Sequence, residues 1–512
     1  MHTKIYSATL IGVQAHVVEV EVDLSLGLMN FYIVGLPDVA IKESRQRIQT
    51  ALKNCGIKLP ERKITVNLAP ADIKKEGTLF DLPIAVGIVQ AAGLTKIDPT
   101  FLQETLFLGE LSLDGSIKPI KGALVIAADA HTLGKKRIIL PIDNAPEAAC
   151  IKNLEIIGVA TLVELIAYLR KECSIEPFAT YDIVAEPWLS HLDFSQVKGQ
   201  EQAKRALTIA AAGGHTILFV GPPGSGKTML AQRLATILPP MNSDEIIATS
   251  KIYSVSGKLD GRPLVKQRPF RNPHHTISQP GLIGGGSFPK PGEISLAHNG
   301  ILFLDELTEF KKETLEGLRQ PLESKDVCIA RAAQSVTYPA SFLMVAALNP
   351  CPCGFYGEKK KECCCSSAQI NRYLQKLSGP LLDRIDLQIY VPAIDYDTIT
   401  NKTLSGKNST EIRNLITEAR TLQAQRFNNT TKINATMSSS DVDQFCQLSP
   451  EAEAIIKRVF NQNHLSMRGY HKTLKVARTI ADLACARIIE KEHLQEALLY
   501  RSLDKYLDKN NL

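Results

Sequence analysis

The chain has 512 residues, of which 44% are hydrophobic and 22% charged, the composition of a globular protein too long for one hydrophobic core. We expect about three domains. No apolar run is long enough to cross a bilayer and the first residues lack the apolar core of a secretory signal, so the sequence predicts a cytoplasmic protein without a membrane partner. The net charge of +6 is only weak support for a nucleic-acid partner. The 11 cysteines, an odd number, argue against a disulfide framework and for reduced or metal-bound thiols.

Residues 1–180 alternate between strand-like and helix-like segments. Apolar and polar residues alternate in His16–Val22 and Lys63–Leu68, which predicts strands. Residues 40–54 and 81–93 have helical spacing instead. The sequence therefore predicts an N-terminal α+β domain.

Three segments of this domain, 30–37, 75–85 and 108–115, resemble the domain of the Lon protease fold that precedes the ATPase in magnesium-chelatase-like proteins. Lon uses a Ser–Lys dyad. In an ungapped match, Leu79 stands where the nucleophilic serine would be and Leu124 where the lysine would be. Because neither side chain can attack a carbonyl or take up a proton, a peptidase is excluded. We expect a structural or nucleic-acid-facing platform.

Residues 181–192 are predicted to be a linker, because they combine proline with mixed polarity and no sustained period. They contain Trp188, the single tryptophan of the chain. We expect Trp188 to be a packing anchor between domains rather than a stacking platform for bases.

A glycine-rich loop lies between a predicted strand, 216–220, and a predicted helix, 229–235. It comprises Gly221, Pro222, Pro223, Gly224, Ser225, Gly226, Lys227 and Thr228, and fits the pattern G-x-x-x-x-G-K-[ST] without a gap. Its glycines let backbone N–H groups and the positive end of the helix surround a polyphosphate. Lys227 is then expected to reach the β- and γ-phosphates of ATP, and Thr228 to hold Mg²⁺. The alternative is an ordinary glycine-rich turn before a helix.

Two carboxylates follow a short apolar run at 301–304, which predicts a buried parallel strand with acids at its carboxyl end. Asp305 is expected to orient the Mg²⁺ shell and Glu306 to polarise the attacking water. The next apolar run, 342–348, ends at Asn349. This asparagine also starts an Asn-Pro turn, so a structural role and a role near the phosphate are both open.

The predicted core, 193–392, resembles AAA+ ATPases at three places. Val197 stands in the Val-x-Gly turn that lies against the adenine in that family, and Asn349 stands at the sensor-1 position near the γ-phosphate. Residues 379–386 resemble the arginine-finger segment of the magnesium-chelatase and minichromosome-maintenance branch, with Arg384 as the finger given to the neighbouring subunit's ATP. A finger acting in trans requires a ring. Apart from the resemblance, Val197 marks only a loop before a helix, and Arg384 a partner for nearby aspartates.

An insertion rich in basic residues separates the phosphate loop from Asp305. These residues are Lys251, Lys258, Arg262, Lys266, Arg268, Arg271 and Lys290. Residues 268–276 are close to the R-P-F-R-x-P-H-H motif typical of magnesium-chelatase-like proteins. The pattern assigns no metal to His274 and His275, which could simply pack near the nucleotide.

We predict a pore element in this insertion, at the loop Gly284–Lys290, which carries Phe288 and Lys290. Positive and aromatic side chains on such a loop could follow a phosphate backbone through a ring channel. The alternative is a solvated loop. A second basic projection is predicted at 325–338, with Arg331 near the tip of a hairpin.

Five cysteines are concentrated in residues 351–365, within the predicted core. Cys351 and Cys353 precede a spacer that contains glycine turns, and Cys363 and Cys365 follow it. Four thiolates from two short loops can close a tetrahedral Zn²⁺ site, and we predict these four as the ligands. Free thiols are the alternative, because one-residue spacing is tighter than the common C-x-x-C arrangement.

Residues 393–512 are predicted to form a helical lid. Its predicted helices are 410–426, 450–461, 466–491 and 494–507. Arg468, two residues after the expected N-cap Ser466, resembles the sensor-2 arginine at the start of an AAA+ lid helix. Arg478 on the same helix is the alternative sensor, and an exposed surface arginine is the other interpretation.

The predicted fold class is multidomain α/β: a Lon-protease-like (ribosomal S5 domain 2-like) α+β domain, an AAA+ P-loop NTPase core and a C-terminal helical lid. Over essentially its whole length the chain resembles the magnesium-chelatase-like AAA+ family of bacterial ComM and YifB proteins. That resemblance implies a homo-hexameric, ATP- and Mg²⁺-dependent DNA motor for branch migration in natural transformation, working with other recombination proteins. The competing interpretation is a protein-remodelling or metal-chelatase-like chaperone, although no integrin-like domain is visible.

Overall fold

The computed structural model describes residues 2–501 except 29, 59–61, 76, 187, 189–190, 287–288, 332–333, 359–360, 395–405 and 462–464. The chain forms two compact units. The first unit comprises Met1–Val184 and Ser243–Val265, and the second comprises Ala185–Asn242 and Lys266–Leu512. Within the described ranges, every helix falls short of the length and apolarity needed to cross a bilayer.

The first unit contains two main sheets in its described part. The larger sheet has the strand order His2–Ile11, Gln14–Ser25, Lys63–Ala69, Asn30–Val34, in which the last pair is parallel and the others antiparallel. The smaller sheet is parallel, with the order Thr105–Phe107, Arg137–Pro141, Glu155–Val159. A short hairpin pairs Glu110–Leu111 with Ile117–Lys118.

Side-chain alternation explains how the larger sheet is buried. In the strand Gln14–Ser25, Val18, Val20 and Val22 are buried, whereas the glutamates between them are half-buried. The helix Asp81–Ala91 is buried on nearly every side, because it is apolar around most of its circumference. The strands predicted at His16–Val22 and Lys63–Leu68 lie inside observed strands, so the α+β prediction is confirmed for these elements.

The remaining helices of the first unit come from two parts of the chain. They are Val39–Asn54, Pro99–Glu104, Ala123–Asp129, Ala145–Ala148, Leu162–Leu169 and Ser243–Ser256, with a 3₁₀ turn at Ile142–Asn144. The last of them lies, in sequence, inside the predicted 193–392 core. Ser254 donates to Glu147 (2.7 Å), and its carbonyl accepts from the N–H of Gly122 (3.1 Å). These contacts make the segment 243–265 part of the first unit.

The second unit is built on a parallel sheet that has five strands among the described residues. Their order is Phe270–Arg271, Ile301–Leu304, Leu343–Leu348, Ile217–Val220, Leu387–Tyr390. The three middle strands are buried on both faces, as their unbroken apolar runs predict. Because all the strands run in one direction, their carboxyl ends meet at one edge of the sheet, where ligands bind in open α/β folds.

Helices and hairpins complete the second unit. The helices are Glu201–Gly213, Lys227–Ile237, Gln279–Ile283, Glu293–Leu296, Lys312–Glu316, Arg319–Ser324, Ser367–Leu374, Gly379–Leu382, Ser409–Phe427, Ser439–Phe445, Pro450–Asn461, Met467–Leu483 and Lys491–Leu499, with 3₁₀ turns at Phe194–Gln196, Leu307–Glu309 and Asn434–Thr436. One hairpin pairs Gly284–Gly285 with Lys290–Pro291, and another pairs Asp326–Arg331 with Gln334–Pro339. The second hairpin confirms that a hairpin forms at 325–338; its role as a basic projection stays a prediction. Phe288 and the side chain of Arg331 lie outside the described residues.

The C-terminal helices differ from the prediction at one point. A single helix was expected over 466–491, but the observed helix ends at Leu483. The break follows from Cys485, which has a left-handed φ of 54°, and from Arg478, whose guanidinium donates to the carbonyls of Ala486 and Arg487. These bonds satisfy carbonyls that a continuing helix would have used. The predicted helix 494–507 extends beyond the described residues; its described part lies in Lys491–Leu499.

Candidate nucleotide-binding site

The phosphate loop leaves the strand Ile217–Val220 and enters the helix Lys227–Ile237. At Gly221, a Cβ atom would lie 2.2 Å from the carbonyl oxygen of Val391, so the close backbone approach admits glycine alone. Gly226 has a φ of 87°, in the left-handed region that favours glycine. Strand, loop and helix therefore take the arrangement that exposes backbone N–H groups to a phosphate.

Lys227 begins the helix and is only 8% exposed. Its Nζ donates to the carbonyls of Gly221 (2.7 Å) and Pro222 (2.9 Å) and to Oδ1 of Asn349 (3.2 Å). Burial lowers the pKa of Lys227 to about 8, and the nearby Asp305 acts in the opposite direction. A phosphate group would give this ammonium the charged partner that neutral carbonyls do not supply.

Asp305 and Thr228 meet at the carboxyl edge of the sheet. Thr228 Oγ1 donates to Oδ2 of Asp305 (2.8 Å), and Oδ1 of Asp305 accepts from the backbone N–H of Glu306 (3.0 Å). A hydroxyl oxygen and a carboxylate oxygen at this separation are suitable ligands for Mg²⁺. The two residues predicted for the metal are thus in contact.

Glu306 adopts a left-handed φ of 51°, an unusual conformation for a residue with a side chain. Its carboxylate is largely exposed, and His275 Nδ1 lies 3.5 Å from Oε2. The His275 ring stacks on His274, with 4.1 Å between ring centroids. Sequence reasoning left these histidines without a partner. The R-P-F-R-x-P-H-H motif marks these histidines in the sequence, but only the fold shows that His275 lies next to Glu306.

Asn349 and Glu306 line one cavity of about 750 Å³, together with Cys353, Arg372 and Lys376. The two basic residues lie one turn apart, on and just after the helix Ser367–Leu374. The cavity therefore contains Glu306, which is predicted to polarise water, and Asn349, which is predicted to sense the γ-phosphate. Arg372 and Lys376 add positive charge to it. Arg372 and Lys376 were not predicted, because the sequence alone does not show that this helix faces the site.

Val197 is buried and follows the 3₁₀ turn Phe194–Gln196. Close by in sequence, Gln200 donates from Nε2 to the carbonyl of Ser225 in the phosphate loop (2.6 Å). This bond ties the entry segment to the phosphate loop. Contact of Val197 with an adenine stays a prediction.

Cys351, Cys353, Cys363 and Cys365 converge, and all four Sγ atoms lie within 4.8 Å of one another. The Sγ of Cys351 is 3.3 Å from that of Cys353 and 3.6 Å from that of Cys363. The backbone N–H of Phe355 lowers the pKa of Cys353 to about 6, towards the thiolate form that metals bind, whereas burial and hydrogen bonds with the other thiols raise the pKa of Cys363 and Cys365. The quartet of cysteines selected from the sequence therefore lies close enough together to bind one metal ion as a tetrahedral thiolate site.

Arg384 and Arg468 lie together in a second cavity, of about 630 Å³. The Nη2 atoms of both arginines are 2.9 Å from the same oxygen, Oε1 of Glu323. Among the described residues, this cavity and the one at Glu306 have no lining residue in common. The shared acid was not predicted, because nothing in the sequence connects Glu323 to either arginine.

Arg478, the alternative to Arg468, is only 1% exposed. It pairs with Asp482 at 2.9 Å and donates to the backbone carbonyls that end its helix. These contacts assign Arg478 to the interior of the helical bundle. Of the two arginines, Arg468 is the one that lines a cavity.

Several basic residues of the insertion have partners within the protein. Lys251 pairs with Asp129 (2.9 Å) in the first unit. In the second unit, Arg271 makes two bonds to Glu293 (2.6 and 2.8 Å). Arg268 donates to backbone carbonyls, including that of Pro239 (2.6 Å), and Lys266 pairs with Glu186 (3.0 Å). These four basic residues are therefore bound within the fold, and the pore role of the loop 284–290 stays a prediction.

In the first unit, Leu79 and Leu124 are both buried. Leu124 lies in the helix Ala123–Asp129 and is fully inaccessible. The two positions assigned to the Lon dyad thus belong to the apolar interior, which agrees with the exclusion of a peptidase.

A phosphate loop beside two carboxylates at the edge of a parallel sheet defines a P-loop ATPase fold. Three family descriptions match the chain: "Magnesium chelatase, subunit ChlI" over residues 193–399, "Subunit ChlI of Mg-chelatase" over 20–144 and "Magnesium chelatase, subunit ChlI C-terminal" over 406–501.

Some known proteins match the chain over nearly its full length, and another matches one part of it. Competence protein ComM of Haemophilus influenzae is 44% identical over 511 residues, covering 99% of this chain and 98% of the relative. YifB of Escherichia coli is 41% identical over 503 residues, covering 98% and 97%. Lon protease 2 of Bacillus subtilis is 32% identical over 128 residues, covering 24% of this chain and 22% of the protease. The chain belongs to the magnesium-chelatase-like AAA+ family of ComM and YifB proteins, which implies ATP and Mg²⁺ as ligands.

Proposed function

We propose that the protein is an ATPase that works as a homo-hexameric ring and drives DNA through a central pore. In this proposal it is a branch-migration helicase for DNA integration during natural transformation. One observation carries the ring: Lys227, Asp305 and Glu306 lie at one edge of the sheet, whereas Arg384 faces a different cavity. Arg384, as the arginine finger, must then act on the ATP of a neighbouring subunit.

The residues have separate tasks in this mechanism. Lys227 neutralises the β- and γ-phosphates, and Thr228 and Asp305 would hold Mg²⁺, which would supply further positive charge against the phosphates. Glu306 polarises the attacking water from its exposed position, and Asn349 fixes that water. Arg384 of the adjacent subunit stabilises the charge that develops in the transition state.

Two features support DNA as the moving polymer. The 44% identical relative from Haemophilus influenzae is named as a competence protein. The hairpins Gly284–Pro291 and Asp326–Pro339 contact each other, because Tyr338 donates its hydroxyl proton to the carbonyl of Pro289 (2.8 Å). Lys290 is exposed on the first of them. Paired hairpins of this kind are suited to follow a nucleic-acid backbone through a ring.

The proposal includes a structural Zn²⁺ held by the four clustered cysteines. Their sulfurs are already at mutual distances of a tetrahedral site, and two backbone N–H groups point at them: Tyr356 N lies 3.4 Å from Cys351 Sγ, and Cys365 N lies 3.4 Å from Cys363 Sγ. Such N–H···S bonds stabilise thiolates. The metal would contribute folding energy to the loop and no redox step.

For the first unit we propose a Lon-like fold that serves as a platform without peptidase chemistry. The partial match to Lon protease 2 supports the fold. The burial of Leu79 and Leu124 supports the loss of the dyad. In this proposal the platform binds DNA or recombination proteins.

A chaperone of the metal-chelatase or protein-remodelling type is the second candidate. The observation in its favour is the family description over residues 193–399, which names a magnesium chelatase subunit. The same ATPase site serves both functions, so the polymer that stimulates it distinguishes them.

The test is the rate of ATP hydrolysis by the full chain with single-stranded, duplex or branched DNA, or with an unfolded polypeptide. We expect stimulation by DNA, strongest with a branched substrate. The variant Lys227→Ala, measured in parallel, gives the background. Stimulation by the polypeptide alone would reject the DNA motor and favour the chaperone.

A further inference from the structure

The cysteine loop is attached directly to the strand that carries the γ-phosphate sensor. Asn349 follows the strand Leu343–Leu348, and Cys351 comes two residues later and is fully buried. The side chain of Asn349 accepts from the ammonium of Lys227 at 3.2 Å. Only one residue therefore separates a sulfur of the quartet from a side chain that contacts the phosphate-loop lysine.

The loop also touches the phosphate loop from the other side. Gly354, the residue after Cys353, has a φ of 85° and faces Pro223. A Cβ atom at Gly354 would lie 2.6 Å from Cδ of Pro223, so no side chain fits between the two loops. The position of Cys353 is thus mechanically linked to the phosphate loop.

A third contact is through the cavity itself. Cys353 and Cys365 line the same cavity as Glu306 and Asn349. The quartet therefore forms part of the wall around the place where water would attack. The sulfurs of Cys351, Cys353 and Cys363 lie 3.3–3.6 Å from one another, and all four sulfurs lie within 4.8 Å, so one cation can bind all four and fix the shape of this wall.

We infer that the zinc-filled quartet is a positioning device for ATP hydrolysis, which holds Asn349 and Pro223 in their working places. Loss of the metal releases the loop, so Asn349 no longer fixes the attacking water. The backbone N–H groups of the phosphate loop and the helix end that follows it still bind the nucleotide. Metal loss consequently lowers kcat and leaves ATP binding nearly unchanged. The inference rests on the proposed ATPase activity but not on DNA as substrate.

The experiment compares zinc content, the dissociation constant for ATP and DNA-free ATP hydrolysis in the full chain. Wild-type protein is expected to hold about one zinc per chain. Stripping it with a zinc-selective chelator in the presence of excess Mg²⁺ should lower kcat about tenfold, the scale seen when supporting contacts of a reactive centre are lost. Adding zinc back should restore kcat. This reversal excludes simple unfolding as the cause.

Variants separate the metal from the contact that it supports. Cys353→Ser should lose zinc and kcat together, and Cys353→His, which keeps a zinc ligand, should retain more of both. Gly354→Ala keeps all four ligands but pushes against Pro223, so it should keep zinc and lose kcat. Cys364→Ser, on the same loop but outside the quartet, should keep its zinc. Cys485→Ser, at an exposed cysteine far along the chain, should keep full activity.

The outcomes are distinct. Wild-type protein that purifies without zinc, or that keeps its kcat after zinc is stripped, would overturn the inference. An equal loss of ATP affinity and kcat would also overturn it, because the metal would then support the fold in general. If wild-type protein does not hydrolyse ATP under any condition, the proposed function itself fails.

Discussion

Two regions differ in character: the carboxyl edge of the sheet in the second unit, and the two positions of the first unit that the sequence matched to a Lon-type dyad. At the sheet edge, Lys227 is buried among oxygens and Glu306 is held in a left-handed backbone conformation, both unfavourable without a function. In the first unit, Leu79 and Leu124 occupy the dyad positions and contribute to an apolar core. The first region keeps polar groups in unfavourable surroundings or conformations, whereas the second region contains buried apolar side chains.

The largest effect that tests this contrast is expected at Arg384. Replacing it with alanine should lower ATP hydrolysis about 10³-fold, because a guanidinium given in trans carries much of the transition-state stabilisation. ATP binding should persist, since Arg384 faces a cavity separate from that of Glu306. Steady-state hydrolysis and equilibrium ATP binding measure the two quantities.

Mixing two inactive variants sharpens this result. Subunits with Arg384→Ala keep an intact Glu306, and subunits with Glu306→Gln keep an intact Arg384. Mixed rings should therefore regain part of the activity, because the second kind of subunit supplies the arginine to the first. Mixtures as inactive as their components would show that Arg384 acts within its own subunit.

Lys227→Ala should have the next largest effect. The removal of one preorganised positive group from a buried site costs about 10²–10³-fold in rate, and here ATP binding should weaken as well. Lys457→Ala is the control, because Lys457 is exposed on the helix Pro450–Asn461 and lines neither the cavity of Glu306 nor that of Arg384. Hydrolysis by Lys227→Ala at the wild-type rate would show that the phosphate loop does not bind ATP.

Leu124→Lys should act on the first unit alone. An unpaired ammonium at this inaccessible position costs about 3–5 kcal/mol of folding free energy. Hydrogen exchange of peptides from the helix Asp81–Ala91 should become faster, while ATP affinity should stay the same. Trp188 belongs to the second unit, so its fluorescence is not the measurement to use.

Leu113→Lys is the matched control for Leu124→Lys, since Leu113 is exposed in the same unit. Its effect on hydrogen exchange should be close to zero. If both variants leave hydrogen exchange unchanged, the position of Leu124 in the core is wrong.

The smallest effect is expected for Leu79→Ser. Loss of a buried side chain costs about 2–3 kcal/mol, near the lower end for large-to-small changes in a core. No peptide cleavage should appear, because a serine without a base is a weak nucleophile. Cleavage of a fluorogenic peptide above the wild-type background would instead show that a serine at position 79 is enough to give peptidase activity.

The sequence predicted the parts of the site that depend on spacing along one segment. The phosphate loop, the carboxylates after 301–304 and the choice of four cysteines among five all depend on local patterns. The fold brings these residues together as such patterns require.

The sequence could not supply contacts that depend on distant partners. Glu323 pairs with Arg384 and Arg468, and His275 approaches Glu306, across long separations in the chain. The partner of Arg271 was not predicted for the same reason, because a basic residue appears identical in sequence whether it faces a phosphate or Glu293. The end of the helix at Leu483 depends on the side chain of Arg478 and was also missed.

The helix Ser243–Ser256 has a practical consequence. This helix follows the phosphate loop in the sequence, yet it belongs to the first unit, where it packs on the helix Ala123–Asp129. A recombinant fragment that stops at residue 184 would therefore lack a helix and leave Glu147 without the hydroxyl of Ser254. To produce this unit by itself, a gene should encode residues 1–184 and 243–265 joined by a glycine-serine linker.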